Sequence, residues 1–331
     1  MKKLEYTVRF ITPAFLGNAE QSGQWRTPPF KALLRQWWRV AYAAEKQFKV
    51  NVAAMRKEEG LLFGHAWLED DQDHKGNKVA ARKSQVRIRL DDWSLGKLNQ
   101  APAIGQVSMG KNHIAAALYS GYGPVVPGPK LKANAAIQSG SETRLRIAFP
   151  EDSYLEQAIA LMHAYGALGG RSRNGWGSFD LVGDIGELKH CTRDWKTAIQ
   201  TDWPHALGVD ETGVLLWQSA PLTKWEDAMR LLAQARADMR RAVPDRLMLA
   251  YPSTKGMMPG WGNNDRVPHS LRFKVRSSEA GFVATVFHMP CRPADELWKK
   301  LSPQKQQGFI PCFSAAHAFL DRHPQFHRAE V

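Results

Sequence analysis

The sequence predicts an α+β protein. Three observations carry that reading. Several short segments alternate apolar and polar residues with a period of two, as strands do. Two longer segments repeat their apolar residues every three to four positions, as helices do. The two kinds follow one another as strand, helix, strand, strand, helix, strand, which is the β-α-β-β-α-β order of a ferredoxin-like fold. At 331 residues the chain is long enough for two domains, at roughly 150 residues each.

Residues 3–11 (KLEYTVRFI) read as the first strand, ended by Pro13 and Gly17. A loop runs to Thr27. Pro28 and Pro29 suit a helix start, and FKALLRQWWRVAYAAEK is helical from about 30 to 46. A shorter helix over about 51–63 leads to Gly64, and the acidic run 69–78 reads as an exposed loop. SQVRIRL, 84–90, alternates strictly and is the second strand. Residues 91–140 lack a clear period and are too long for a plain connection, so they read as a functional insertion with some hairpin content. TRLRIAF, 143–149, is a strand. Asp152 or Ser153 can cap a helix through Leu168, a glycine-rich turn spans 169–177, and SFDLV, 178–182, is a short strand.

The second half repeats part of this order. Residues 214–219 form a strand, 224–242 a long helix, 270–276 and 281–289 a hairpin, and 293–301 and 314–321 helices. The interruption near Pro204 and Gly208 predicts domains of 1–203 and 204–331.

Composition narrows the class of partner. Lys plus Arg exceeds Asp plus Glu by 45 to 32, which favours an anionic partner such as nucleic acid. The excess is local. Residues 1–50 hold nine basic and three acidic residues, 101–150 five and one, and 251–300 eight and four, whereas 151–250 hold eleven and fourteen. No apolar run approaches the roughly 18 residues that cross a bilayer, so no membrane partner is expected. The start lacks the apolar core of a signal peptide. Cys191, Cys291 and Cys312 form no C-x-x-C pair and read as reduced thiols of a cytoplasmic protein.

Three basic constellations stand out. Lys31, Arg35 and Arg39 recur every fourth residue on the first helix, about 6 Å apart along one face, a spacing that fits successive phosphates of a strand. Arg26 lies just upstream. Leu34, Trp37, Trp38 and Ala41 supply the apolar surface that docks this helix. The turn GALGGRSRNGWG, 166–177, combines glycines such as Gly169 and Gly170, which permit close backbone approach, with the guanidinium forks of Arg171 and Arg173. Trp176 in that turn could stack on a base or plug the core. Arginines also alternate along strands, as Arg87 and Arg89, as Arg144 and Arg146, and with Lys274 as Arg272 and Arg276. Neighbouring second and third strands would place Arg87, Arg89, Arg144 and Arg146 on one face, where they repel unless an anion or nearby carboxylates compensate.

Catalytic signals are weak. His323 and His327 with Cys291 or Cys312 lack zinc-finger spacing, so no metal is expected. His65 and His163 are isolated. Asp70, Asp71 and Asp73 sit in an acidic loop that reads as solvated. No cofactor fingerprint occurs.

TVRFITPAFLGNAE, RTPPFKALLRQWWRVAYA and ALGGRSRNGWGSFDL resemble the RAMP superfamily of CRISPR systems. The first strand followed by a basic Trp-Trp helix, with the later hairpin SLRFKVR-SSEAGFVATVFHMP, resembles the family of first-numbered subunits of the Cmr (type III-B) effector complex. The insertion at 91–140 carries no part of the resemblance. The resemblance implies two ferredoxin-like (RRM-like) domains, with the Gly-rich loop after the second helix of the first. It implies a non-catalytic, RNA-binding subunit of an antiviral ribonucleoprotein, holding the guide RNA 3′ region and its duplex with target RNA. Other Cmr-type RAMP subunits would be its neighbours. Contacts carried over by motif are Lys31, Arg35, Arg39, Arg171, Arg173 and Trp176. Target cleavage in such complexes belongs to another subunit, which uses a loop aspartate.

Two other readings stay open. One is a metal-independent endoribonuclease of the same superfamily that processes CRISPR precursor RNA, with His65, His163 and Tyr165 as available groups. The other is a basic scaffold that docks proteins.

Overall fold

In the computed structural model of the protein, residues 1–330 are described except 67, 69, 70, 129, 133, 152, 254, 255, 263 and 268. The loop Asp70 and the capping Asp152 therefore lie outside the described residues. The first half comprises β1 (Lys2–Phe10), α1 (Thr27–Glu45), α2 (Val52–Phe63), β2 (Arg87–Leu90), β3 (Glu142–Phe149), α3 (Leu155–Tyr165) and β4 (Phe179–Val182). Its sheet is antiparallel throughout, in the order β2-β3-β1-β4.

Local chemistry explains the helix bounds. Pro28 and Pro29 occupy the first turn of α1, where a missing N–H costs nothing. Gln47 and Phe48, at φ of 50° and 61°, turn the chain out of it. Asn51 then caps α2 by accepting from the Ala54 amide. The expected Ser153 cap on α3 does not form: its hydroxyl donates to the Pro150 carbonyl, and the helix begins after Tyr154 in a left-handed conformation. Phe30, Leu34, Trp37, Trp38 and Ala41 are buried along α1, and the Trp38 indole donates to the Ser153 carbonyl.

The second half comprises β5 (Leu216–Gln218), α4 (Trp225–Ala242), β6 (Leu271–Ser278), β7 (Gly281–His288), α5 (Phe309–Asp321) and β8 (His327–Arg328). Its sheet is also antiparallel, in the order β6-β7-β5-β8. Both sheets thus share one strand order. The closing strand of the second half escapes sequence reading because it is two residues long. The expected strand over 214–219 is divided. Gly213–Val214 pairs with Leu207–Asp210, which pairs in turn with Thr192–Asp194, so a small sheet straddles residue 203.

The halves share their packing. Phe287 and Leu216 lie in the core of the first half, while Trp176 lies in the core of the second. The insertion bridges both. Its hairpin of Gln106–Met109 and Asn112–Ala115 lies against α4, where Gln234 and Ser108 exchange hydrogen bonds. Its far end returns to the first half through Ala14 and Ile137. At the seam, the fully buried Lys274 ammonium donates to the carbonyls of His163, Gly166 and Phe179 at 2.6, 2.8 and 3.1 Å.

Candidate nucleic-acid interface

The two halves meet in a cleft of about 630 Å³. Its walls are the apolar edge of α1, the glycine turn, α4, β6 and the loop before β6. Arg171, Arg173, Arg236, Arg240, Arg266 and Arg272 line it, and among the described residues no Asp or Glu does. A side lobe of about 200 Å³ adds Arg39 beside Arg173 and Arg272.

Each cation is held there by a different device. The glycine turn docks along the exposed edge of β6: the Phe273 amide donates to the Arg173 carbonyl, and Asn174 bridges to Phe273. Thr12 and Ser178 both donate to the Gly175 carbonyl, which pins the turn from below. Arg171 itself adopts a left-handed φ of 58°, a strained conformation for a non-glycine residue. Gly169 has a φ of 89°, and a Cβ there would lie 2.6 Å from the Phe15 carbonyl oxygen. The glycines thus serve close packing. The Gly170 amide is already bonded to Phe15, so it is not a free anion donor.

Arg236 and Arg240, one turn apart, project from α4, and the Arg236 guanidinium lies 5.3 Å from the Tyr119 ring centroid. Arg272 alternates with the core residues Leu271 and Phe273 and so faces the first half. Among the described residues, none of Arg171, Arg173, Arg236, Arg240 and Arg272 pairs with a carboxylate. Burial pushes Arg236 down to about 10. Burial, then the Arg173 charge, pushes Arg272 down to about 9. Both remain cationic at neutral pH.

The floor is short of hydrogen bonds. Among the described residues, Trp37 Nε1, Arg236 Nε and Arg272 Nε are buried without a hydrogen-bond partner, and the His269 ring is buried beside the Leu271 backbone. All belong to residues that line this cleft. Buried polar groups are nearly always satisfied, so unpartnered donors in one cleft call for an explanation.

The sequence-predicted cations do not all converge here. Arg35 and Arg39 both bind the buried carboxylate of Glu59 on α2, at 3.0 and 2.9 Å, so the first-helix row is largely compensated. Lys31 lies outside the cleft lining, its pKa lowered by burial and then by Arg35. Arg26 donates to the Gly17 carbonyl. Arg87, Arg89, Arg144 and Arg146 do share the outer face of the first sheet, since Arg89 lies opposite Arg146 and Arg87 opposite Ala148. Carboxylates compensate part of that row: Glu5 pairs with both Arg144 and Arg146, and Asp91 also pairs with Arg146. Trp176 is no stacking surface. It is fully buried against Phe15, with its indole N–H on the Ser120 hydroxyl.

Arg236, Arg240 and His269 are absent from the sequence-predicted set. Arg236 and Arg240 lie in a stretch with an acidic excess, which hid them. A signal existed: Arg236 falls on the apolar stripe of α4 with Met229, Leu232 and Ala233. A charge on a buried stripe calls for a partner.

The groups that the sequence offered for acid–base chemistry are engaged in the fold. His65 bonds Asp71, which also binds Arg82. The His163 ring accepts from the Leu181 amide, and burial pushes its pKa down to about 4. Tyr165 bonds His190 at 2.6 Å. Cys312 donates to the Asp245 carbonyl, and His323 packs between Phe319 and Phe326. Among the described residues no three metal-ligating side chains gather, and no helix is long and apolar enough to cross a membrane.

No family model matches the sequence, and no curated protein matches it. Solved structures do. One is the crystal structure of Cmr1 from Pyrococcus furiosus in its apo form, at 13% identity over 89% of this chain and 90% of that one, with a TM-score of 0.46. Another is a chain of the cryo-EM structure of the type III-B Cmr-beta complex bound to cognate target RNA, at 10% identity over 86% of this chain and 94% of that one, with a TM-score of 0.53. The second likeness shows a shared fold across most of both chains.

Proposed function

We propose that this chain is a non-catalytic, RNA-binding member of the RAMP superfamily, the counterpart of the first-numbered subunit of a type III-B Cmr effector complex. It consists of two ferredoxin-like units, and the cleft between them grips a ribose–phosphate chain. In an assembled cytoplasmic complex with other Cmr-type RAMP subunits, it would hold the guide RNA 3′ region and its duplex with target RNA.

One observation carries the reading: Arg171, Arg173, Arg236, Arg240 and Arg272 converge on one cleft with no carboxylate among its described lining residues. Gathering like charges at a partly desolvated surface costs free energy, and a polyanion offsets that cost. Elsewhere on the molecule carboxylates do the compensating, at Glu59 and Glu5. The shared fold with a chain of a target-bound complex supports the same partner. Engagement of His65, His163 and Tyr165 within the fold supports a binding role over precursor cleavage.

Purification of the tagged chain from its native host, with sequencing of bound RNA, tests this. Short RNAs sharing a repeat-derived 5′ handle are expected. An RNA-free protein, or random fragments, would contradict it.

A further inference from the structure

The floor of the cleft differs from its rim. A chain passing along the rim meets Arg171 and Arg240. Below lie the buried donors of Trp37, Arg236 and Arg272, which have no hydrogen-bond partner among the described residues, and His269 lines the same floor. Trp37 and His269 are 1% and 5% exposed. A phosphodiester within a strand brings one charge and two free oxygens, and the chain must continue on both sides. A phosphomonoester brings nearly two charges, three strong acceptor oxygens and only one attachment. The floor supplies two buried guanidiniums, a third cation at Arg173, and the N–H group of an indole. Arg173, Arg236 and Arg240 all lie near enough to His269 to lower its pKa after burial does. Trp37, Arg173, Arg236, His269 and Arg272 all line this one cleft.

We infer that the floor of the cleft is a site for a phosphomonoester dianion, either the terminal phosphate of an RNA strand or a free phosphate. The terminal-phosphate form rests on the reading of the cleft as the RNA site. It deepens that reading by making strand ends, as well as strand backbones, something this chain recognises.

The test uses the full chain and one internally labelled single-stranded RNA in three forms: hydroxyls at both ends, a 3′-phosphate, or a 5′-phosphate. Inorganic phosphate serves as competitor and, alone, as a ligand in thermal unfolding. One phosphorylated form is expected to bind about tenfold tighter than the hydroxyl-ended form, and inorganic phosphate should remove that increment. In Arg272→Lys, which keeps the charge but loses the fork, and in Trp37→Phe, which loses one N–H, the ratio should fall toward one. Melting curves of both variants confirm folding.

If all three RNAs bind equally and inorganic phosphate does not raise the melting temperature, the inference is overturned while the RNA reading stands. If no RNA binds yet phosphate raises the melting temperature of the wild type and not of Arg272→Lys, the site takes a free phosphate and the RNA reading falls. If neither ligand binds, both are overturned.

Discussion

The amide of Phe273 donates a hydrogen bond of 3.1 Å to the carbonyl of Arg173. This bond fastens the glycine turn of the first half to the edge strand of the second. It also brings the Arg173 side chain beside Arg272, whose guanidinium is depressed by burial and then by that neighbour. The cleft therefore stores repulsion that a bound anion would relieve.

Removing one of these charges should stabilise the free protein. Arg272→Gln is expected to raise stability by about 1 kcal/mol, roughly 2 °C in Tm for a chain of this size, while weakening RNA binding. Thermal unfolding with and without RNA checks both signs. A lower Tm in the free variant would show that Arg272 is compensated after all.

Lys274 should behave in the opposite way. Its ammonium satisfies three carbonyls of the first half from a fully buried position. Lys274→Met leaves those carbonyls unpaired and should cost about 3 kcal/mol in urea unfolding.

Acid should weaken the second half. His317 bonds His288, and burial, then the Arg328 charge, pushes His317 down to about 4. An unfolded histidine titrates near 6.5. Between those values the unfolded state binds more protons, so stability falls as pH drops from about 6.5 toward 4, by up to about 3 kcal/mol from this group. His317→Gln should flatten that part of the stability profile. An unchanged profile would place the acid sensitivity elsewhere.

Much of the fold is legible in the sequence because period and punctuation agree. The alternation in TRLRIAF and the Pro-Pro start of the first helix both read true. The cleft is less legible, because tertiary contacts decide which charges are compensated. Arg35 and Arg39 have the spacing of a phosphate ladder, yet Glu59 faces them from the next helix. Trp176 sits in a glycine-rich turn that invites a ligand, yet the turn folds it inward. Arg272 was visible as part of an alternating basic row, but its partners across the seam were not. The docking of the turn on β6, which joins residues about a hundred positions apart, helps bring the arginines of both halves together.

First-helix cations should matter more for folding than for RNA. Arg35→Ala is expected to lower stability by about 1 kcal/mol, since it removes one partner of a buried carboxylate. Its affinity for single-stranded RNA should stay within about twofold of wild type. A filter-binding assay beside urea unfolding separates the two effects.

The most direct test of the cleft is the salt dependence of RNA binding. For a 20-nucleotide single strand, the slope of log Kobs against log salt concentration should fall by about 2 in Arg171→Ala/Arg173→Ala/Arg240→Ala, at roughly 0.7 per lost phosphate contact. An unchanged slope in that variant, with wild-type folding, would contradict the claim that these arginines hold the chain.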